Sequence, residues 1–354
     1  MSQPHSLVDL LRSSGTQLRI FDMGRRVGKL SPDELLKVEL AQIPYPTPYL
    51  HHAWIALLMW NPKQKEQNVV WFLKLPLDEQ GYLVAAARDD LLNRLLTNAH
   101  NLLLAGTADS QVQDALKDNP FSFKPDEEKM AIFHACASLA MGQPASRYYE
   151  FAQQYFAGRS GFDSWPALGY QGIADLVIRQ QQADNATILA GSLSKLPNEP
   201  YEALCTALEH VVPDHRLFEA LQARFETSLA TEATSSNHIA AQVRAISNGR
   251  DQEAVKRLLH KVLATDYALE AEVIAAIATR CNLLLDDDEL MLEFLERLAA
   301  GKAGQAGFSR ILADLMFNPA LRSRALSVFR NPQRSEALSA AIGAMFGSGL
   351  AGRH

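Results

Sequence analysis

From Leu91 onward the chain repeats one pattern, a short apolar stripe at helical spacing followed by a glycine, proline or polar break. Leu91, Leu92, Leu95, Leu96, Ala99, Leu102 and Leu103 make the first stripe, before Gly106. Met130 to Met141 follows Pro125 and the acidic run Asp126-Glu127-Glu128, a sound helix start, and stops at Gly142. Val255, Leu258, Leu259 and Val262 repeat the stripe, as do Met291, Phe294, Leu295 and Leu298. Phe308, Ile311, Leu312 and Leu315 do so once more before Asn318-Pro319. A helix of a few turns with one apolar stripe is not stable alone and must bury that stripe on a neighbour. The spacing therefore predicts stacked antiparallel helix pairs, an irregular α-solenoid or bundle. No fixed repeat period emerges. Trp165, Leu168 and Gly169 match the opening of a tetratricopeptide signature, but Gly172 stands where its aromatic belongs, so any repeats are degenerate.

Residues 1–85 read differently. Gln17 to Phe21 is a short strand, Asp22-Met23-Gly24 a turn, and Arg25 to Leu30 returns from it. Ser31-Pro32-Asp33-Glu34 then opens a helix, with Ser31 as N-cap, Pro32 at the first position and Glu34 as the capping-box return. That helix ends before Pro44, because IPYPTPY is extended and punctuated by proline. His52–Trp60 and Asn68–Leu75 are strands joined by the polar turn Asn61–Glu66. Both runs are apolar at successive positions, so both faces of the sheet need cover, one from its own helix and the other from the helical part. Pro76 breaks the second run, and Gln80-Gly81 turns the chain into a last short strand at Tyr82–Ala85. The expected fold is α+β: a small, mainly antiparallel N-terminal sheet with a helix over 1–85, an all-α array over 86–345, and a flexible tail over 346–354.

At 354 residues, 47% hydrophobic and 21% charged, the chain has the composition of a folded protein rather than a disordered one. A net charge of −6 gives no general attraction to nucleic acid. The end from Gln305 onward is locally basic, with six arginines against Asp314 and Glu336. A solvated helical face explains that balance, and an acidic partner is the other reading. Cys136, Cys205 and Cys281 are widely spaced among apolar residues, which suits buried thiols in a reducing compartment. MSQPHSLVDLL lacks a basic region followed by an apolar core, so no secretory signal is expected. The run Ala53–Trp60 is too short to span a bilayer, and the cytoplasm is the expected location.

Several clusters invite chemistry, and each has a plainer explanation. Gly347, Gly349 and Gly352 fit G-x-G-x-x-G, but a dinucleotide site needs a strand before it and a helix after it. Glu209, His210, Asp214 and His215 are metal-capable, yet Pro213 interrupts the helix between the histidines, and Asp214 suits the N-cap of the next helix. His51-His52 with Asp22 or Asp78 would make an acid–base site only if the fold joined them. Asp286-Asp287-Asp288 complements a helix N-terminus without an ion. No catalytic, metal or cofactor-binding residue is assigned, and no cofactor is expected.

Partner-binding candidates come from segments that folding alone explains least. Arg25 and Arg26, adjacent at a tight turn, present two guanidiniums to carboxylate or phosphate. Tyr45 and Tyr49 sit in a stiff proline-tyrosine arm suited to docking on a partner or, the favoured reading, on the chain's own helical part. Arg322 and Arg324 belong to the basic C-terminal helices.

These segments also carry a resemblance. FDMGRRVGKL (21–30), the PYP arm with HHAWIALLMW (51–60), and WFLKLPLDEQGYL (71–83) resemble an uncharacterised bacterial family catalogued only as a domain of unknown function. The likeness covers most of the chain, is strongest over 17–83, and implies no activity, cofactor or catalytic residue. The leading functional expectation is a non-catalytic interaction or scaffold protein with an unidentified protein partner and no membrane association. The alternative is an enzyme whose site joins His52, Asp78 and Glu79 where the two modules meet. A nucleic-acid binder using the C-terminal arginines stands third. Oligomeric state is left open.

Overall fold

A computed structural model of the chain describes residues 6–12, 16–105, 119–231 and 234–351, the side chains of 64–67, 98–105 and 348–351 excepted. Its contacts divide it into two units, 1–144 and 145–354. The change of composition near residue 85 marks the end of strand content, and the next two helices are counted with the sheet.

In the first unit, β1 (Gln17–Asp22), β2 (Gly28–Leu30), β3 (His52–Asn61) and β4 (Gln64–Pro76) form one antiparallel sheet in the order β2-β1-β3-β4. Among the described residues four helices accompany it: α1 (Leu7–Arg12), α2 (Pro32–Glu39), α3 (Ala85–Ala105) and α4 (Glu127–Ala140). Ser31 caps α2 by accepting from the Glu34 N–H, and Asp126 caps α4 through the Lys129 N–H. Register explains the continuous apolar runs. Phe21, Ala56 and Phe72 pair across three strands on one face. There Phe133 of α4 meets Phe21 at 5.5 Å and Phe72 at 5.1 Å, edge to face. Ile20, Ile55, Leu57 and Leu73 point the other way and are equally buried. Helices α1 and α2 contact β1, and α3 contacts β4.

Three local expectations are corrected. The hairpin is tighter than its polar residues suggest, because Asn61 pairs with Gln64 and the strands absorb most of the 61–66 turn. Only Gly28–Leu30 of the 25–30 segment is strand. Tyr82–Ala85 forms no strand beyond the single bridge Leu77–Leu83. The Asp78 carboxylate accepts from the Gln80 and Tyr82 N–H groups and curls the chain, so that α3 starts at Ala85. The expected first stripe lies in α3, where Leu91, Leu92 and Leu95 are buried. Gly106 falls outside the described residues.

The described residues of the second unit form helices and the turns between them. It comprises α5 (Tyr149–Phe156), α6 (Tyr170–Ile178), α7 (Asn185–Ser192), α8 (Asn198–Leu208), α9 (His215–Leu229) and α10 (Ser236–Ile246). It continues through α11 (Gln252–Leu263), α12 (Ala271–Arg280), α13 (Asp288–Ala300), α14 (Gly304–Met316), α15 (Pro319–Phe329) and α16 (Glu336–Ala351). Each helix packs against the next but one, so the odd-numbered helices make one row and the even-numbered ones a second. That is the arrangement of an α-solenoid, in which each repeat is stabilised by its neighbours.

Polar pairs mark the repeat. Tyr149 with Asn185, Tyr170 with Thr206, Glu202 with His238, Ser236 with Glu272, Thr231 with Tyr267 and Gln305 with Ala341 are hydrogen-bonded, each across 36 residues. Gly172, which departs from the tetratricopeptide pattern, has a steric reason. A Cβ there would lie 2.6 Å from the Tyr148 carbonyl oxygen. Helix α16 reaches Ala351, so most of the segment read as a tail is helical, and 352–354 fall outside the described residues. Among the described residues no helix is long and apolar enough to cross a membrane.

Candidate functional site

The fold brings together the two segments that the sequence singled out in the first unit. Asp22 ends β1 on a buried face, and its carboxylate accepts from the Gly24 N–H at 3.1 Å and the Tyr45 hydroxyl at 2.9 Å. Burial pushes this carboxyl up to about 6, although Gly24, Tyr45, Thr47 and Lys129 all pull it down. The Tyr45 hydroxyl is raised by burial and by facing Asp22. Lys129, from α4, donates to the Met23 carbonyl at 3.2 Å and the Gly24 carbonyl at 2.6 Å, fixing the turn from above. A Cβ on Gly24 would crowd this turn, at 3.2 Å from both Asp22 Oδ1 and Tyr49 Cβ.

Arg25 then lies over the Tyr49 ring at 5.3 Å, with Lys129 at 5.7 Å from the same ring. Tyr49 is tied to the sheet by the Trp54 indole N–H, which donates to its carbonyl at 2.8 Å, and Lys74 sits 4.5 Å over the Trp54 ring. The result is a half-buried aromatic shelf carrying three cations. Arg25, Arg26 and Tyr49 are half-buried and reach the surface. Tyr45 does not. It is 2% exposed, its ring turned inward, and it serves Asp22 rather than an outside molecule.

The proposed acid–base residues are used separately. His52 Nδ1 is 2.6 Å from the Leu50 carbonyl oxygen, Asp78 is committed to its own turn, and Glu79 is exposed. In the helical unit, Glu209 pairs with Arg280 at 2.8 Å. Asp214 caps α9 by accepting from the Arg216 N–H, and His215 lies on an exposed turn 3.3 Å from Glu219. Among the described residues no group of three His, Cys, Asp or Glu side chains could hold a metal ion. Asp287 caps α13, while Asp286 and Asp288 bind Arg324 at 3.2 and 2.8 Å. Arg324 is thus occupied, whereas Arg322 is exposed and donates to the Met316 carbonyl. Cys205 and Cys281 are buried, and burial pushes the Cys205 thiol up to about 12, which keeps it unreactive.

What sequence reasoning missed is a run of clefts along one edge of the solenoid, where odd-row helices end and even-row helices begin. The first, about 550 Å³, lies among α7, α9 and α10 and is lined by Asn198, Arg224, Thr227, Thr231 and His238. The second, about 510 Å³, shares Thr231 and Thr234 with it and adds Asp266, Tyr267 and Glu270. A third, about 490 Å³, follows one repeat on at Glu293, Glu296, Arg297 and Ser335. No linear motif signals them, because each is built from residues one repeat apart.

The model of a family described as a protein of unknown function (DUF3549) matches residues 2–346. No curated protein matches the chain, and no solved structure does.

Proposed function

The chain belongs to the DUF3549 family, whose description carries no activity, and from its own geometry we propose a non-catalytic interaction protein that holds a partner along the cleft-lined edge of its solenoid. The observation that carries this reading is the repetition. Several polar pairs of the helical unit are set 36 residues apart, and clefts recur at successive repeats. A serial recess suits an extended segment of another chain better than a compact substrate. The shelf of Tyr49 with Arg25, and half-buried Arg26 next in the chain, is a second surface for the same purpose, and exposed Arg322 a third.

The test is affinity capture with the tagged full-length chain, followed by lysine cross-linking and mass spectrometry. Lys195, Lys261 and Lys302 are exposed beside the clefts, and cross-links from a retained protein should concentrate on them. Retention of a small molecule with no protein would overturn the reading.

A further inference from the structure

We infer that the first cleft anchors an acidic residue of an extended partner segment, its carboxylate bound by Arg224 together with Ser194 and Asn198. This rests on the interaction reading above and deepens it by naming the chemistry of the segment.

Arg224 is a half-buried cation that no anion balances. Its guanidinium lies 3.6 Å over the Tyr201 ring and donates to the Leu193 and Leu196 carbonyls, closing the end of α7. Among the described residues no carboxylate pairs with it. The ionisable groups facing its charge are the Tyr201 hydroxyl and the Cys205 thiol, and burial raises both, so both are uncharged at neutral pH. Elsewhere in this unit Arg179 has Asp175, Arg280 has Glu209, and Arg324 has Asp286 and Asp288. A charge withdrawn from water without a counter-ion is costly, and a bound carboxylate relieves that cost.

The free donors of the cleft point to the same ligand. Two N–H groups of Arg224 are used on the backbone, and its others have no partner among the described residues. The same is true of the Ser194 hydroxyl and the Asn198 amide, both on exposed residues of the lining. A guanidinium edge with neighbouring neutral donors is the arrangement that holds a carboxylate. Thr227 and Thr231 donate to the Ala223 and Thr227 carbonyls, each at 2.9 Å, so their oxygens are acceptors for the backbone N–H groups of an extended segment.

No carboxylate among the described residues lines this cleft. Glu202 is held by His238 at 2.9 Å and Glu226 by Lys261, while Glu199, exposed in the first turn of α8, lies outside the lining. The other two clefts differ. The second carries Asp266 and Glu270, and in the third Glu293 and Glu296 accompany Arg297. An acidic residue is therefore selected at the first cleft alone, which sets the register of the segment along the edge.

The test is selection of a random decapeptide library, displayed on phage, against the full-length chain. Aspartate or glutamate should be enriched about tenfold over the input at one position, the gain of one charge-assisted pair. A chain of net charge −6 repels acidic segments at large, so bulk attraction does not produce that result. Arg224→Gln should abolish the enrichment, but it also loosens the end of α7. Ser194→Glu is the deciding variant, because it gives the cleft a carboxylate of its own at an exposed position. It should abolish the enrichment without lowering Tm. Enrichment that survives Ser194→Glu, enrichment of lysine or arginine instead, or no enrichment of any residue would each overturn the inference. Displacement of the selected peptides by an equal charge of polyuridylate would assign the site to nucleic acid and overturn it too. A protein captured from lysate whose cross-links to Lys195 come from a segment lacking aspartate and glutamate would sink the inference and leave the interaction reading intact.

Discussion

The Tyr45 hydroxyl donates to Asp22 Oδ1 at 2.9 Å, joining the proline-tyrosine arm to the end of β1 across 23 residues of chain. Both groups are buried, so neither can trade the bond for water. Tyr45→Phe should destabilise the chain by about 1–3 kcal/mol, because the carboxylate keeps its burial and loses a donor. The same substitution made on Asp22→Asn should cost less, and urea denaturation of the four proteins measures the coupling. Additive losses would mean that the bond is incidental and that the arm is held by Tyr45 packing alone.

A second buried carboxylate makes stability depend on pH. Glu39 is 4% exposed and accepts from the Leu7 N–H at 2.7 Å and the Val8 N–H at 3.2 Å, capping α1 from 31 and more residues away. Burial pushes its carboxyl up to about 7 against the pull of Leu7, Val8 and Arg88, and nearby Asp9 pushes the same way as burial. A carboxyl raised on folding binds its proton more tightly in the native state. Its contribution is then fully present below about 4.5 and is lost as pH rises through about 7. Glu39→Gln mimics the protonated form. Relative to wild type, this variant should gain stability between pH 4.5 and 8 by about 3 kcal/mol. A difference that stays flat across that window would rule out the shift.

Between Tyr49 and His52 the chain reverses through two residues in the left-handed region, Leu50 at φ 49° and His51 at φ 61°. The mutual bonds Tyr49 N–H to His52 O and back, both 3.1 Å, make this a two-residue hairpin of the type that favours Asn-Gly. Side chains with a Cβ are strained there. Leu50→Asn with His51→Gly should raise the unfolding free energy by about 1–2 kcal/mol. The Trp54 bond to the Tyr49 carbonyl should survive, leaving near-ultraviolet circular dichroism unchanged. A loss of stability would show that the Leu50 or His51 side chain contributes more than its strain.

The parts of this fold that the sequence made legible are those decided within a few residues. Ser31 with Pro32, Asp126 and Asp214 start helices where they were expected to, because a cap needs only the next three N–H groups. The sheet's two-sided burial was legible for a similar reason, since Ala53–Trp60 of β3 and Val69–Leu73 of β4 are continuous apolar runs. The 36-residue ladder was not. Its rungs are tyrosine–asparagine in one place, tyrosine–threonine in another and glutamate–histidine in a third. The separation of 36 residues recurs while the residue types and the bonding atoms change, so self-comparison of the sequence finds no period. Tyr45 and Tyr49 look equivalent in the arm, and only Asp22 on a distant strand sends one inward. The cleft threonines read as the polar face of a helix, and their shared orientation exists only once repeats are stacked.

Long-range ionic contacts tie the repeats together as well. Glu209, at the end of α8, binds Arg280 of α12 at 2.8 Å across 71 residues, with Arg244 of α10 at 3.9 Å. Burial alone would raise the Glu209 carboxyl, but Arg280, with His210 and Arg244, holds it below the usual range. Three successive even-row helices thus share one carboxylate. Removing one partner from a buried pair leaves an uncompensated charge, so Arg280→Met should cost about 3–5 kcal/mol. The double variant Glu209→Gln, Arg280→Met should recover much of that loss, because it buries no net charge. A carboxyl depressed on folding contributes stability above its unfolded value of 4.5 and loses it as pH falls through the folded one. The gap between wild type and the double variant should therefore narrow on acidification. Since neighbouring repeats can unfold in stages, hydrogen exchange of α8, α10 and α12 is the better readout than a single melting curve. Loss of protection confined to α12 would mean that the pair staples only its own end. Loss spreading through α10 to α8 would show that this buried contact sets the cooperative unit of the solenoid.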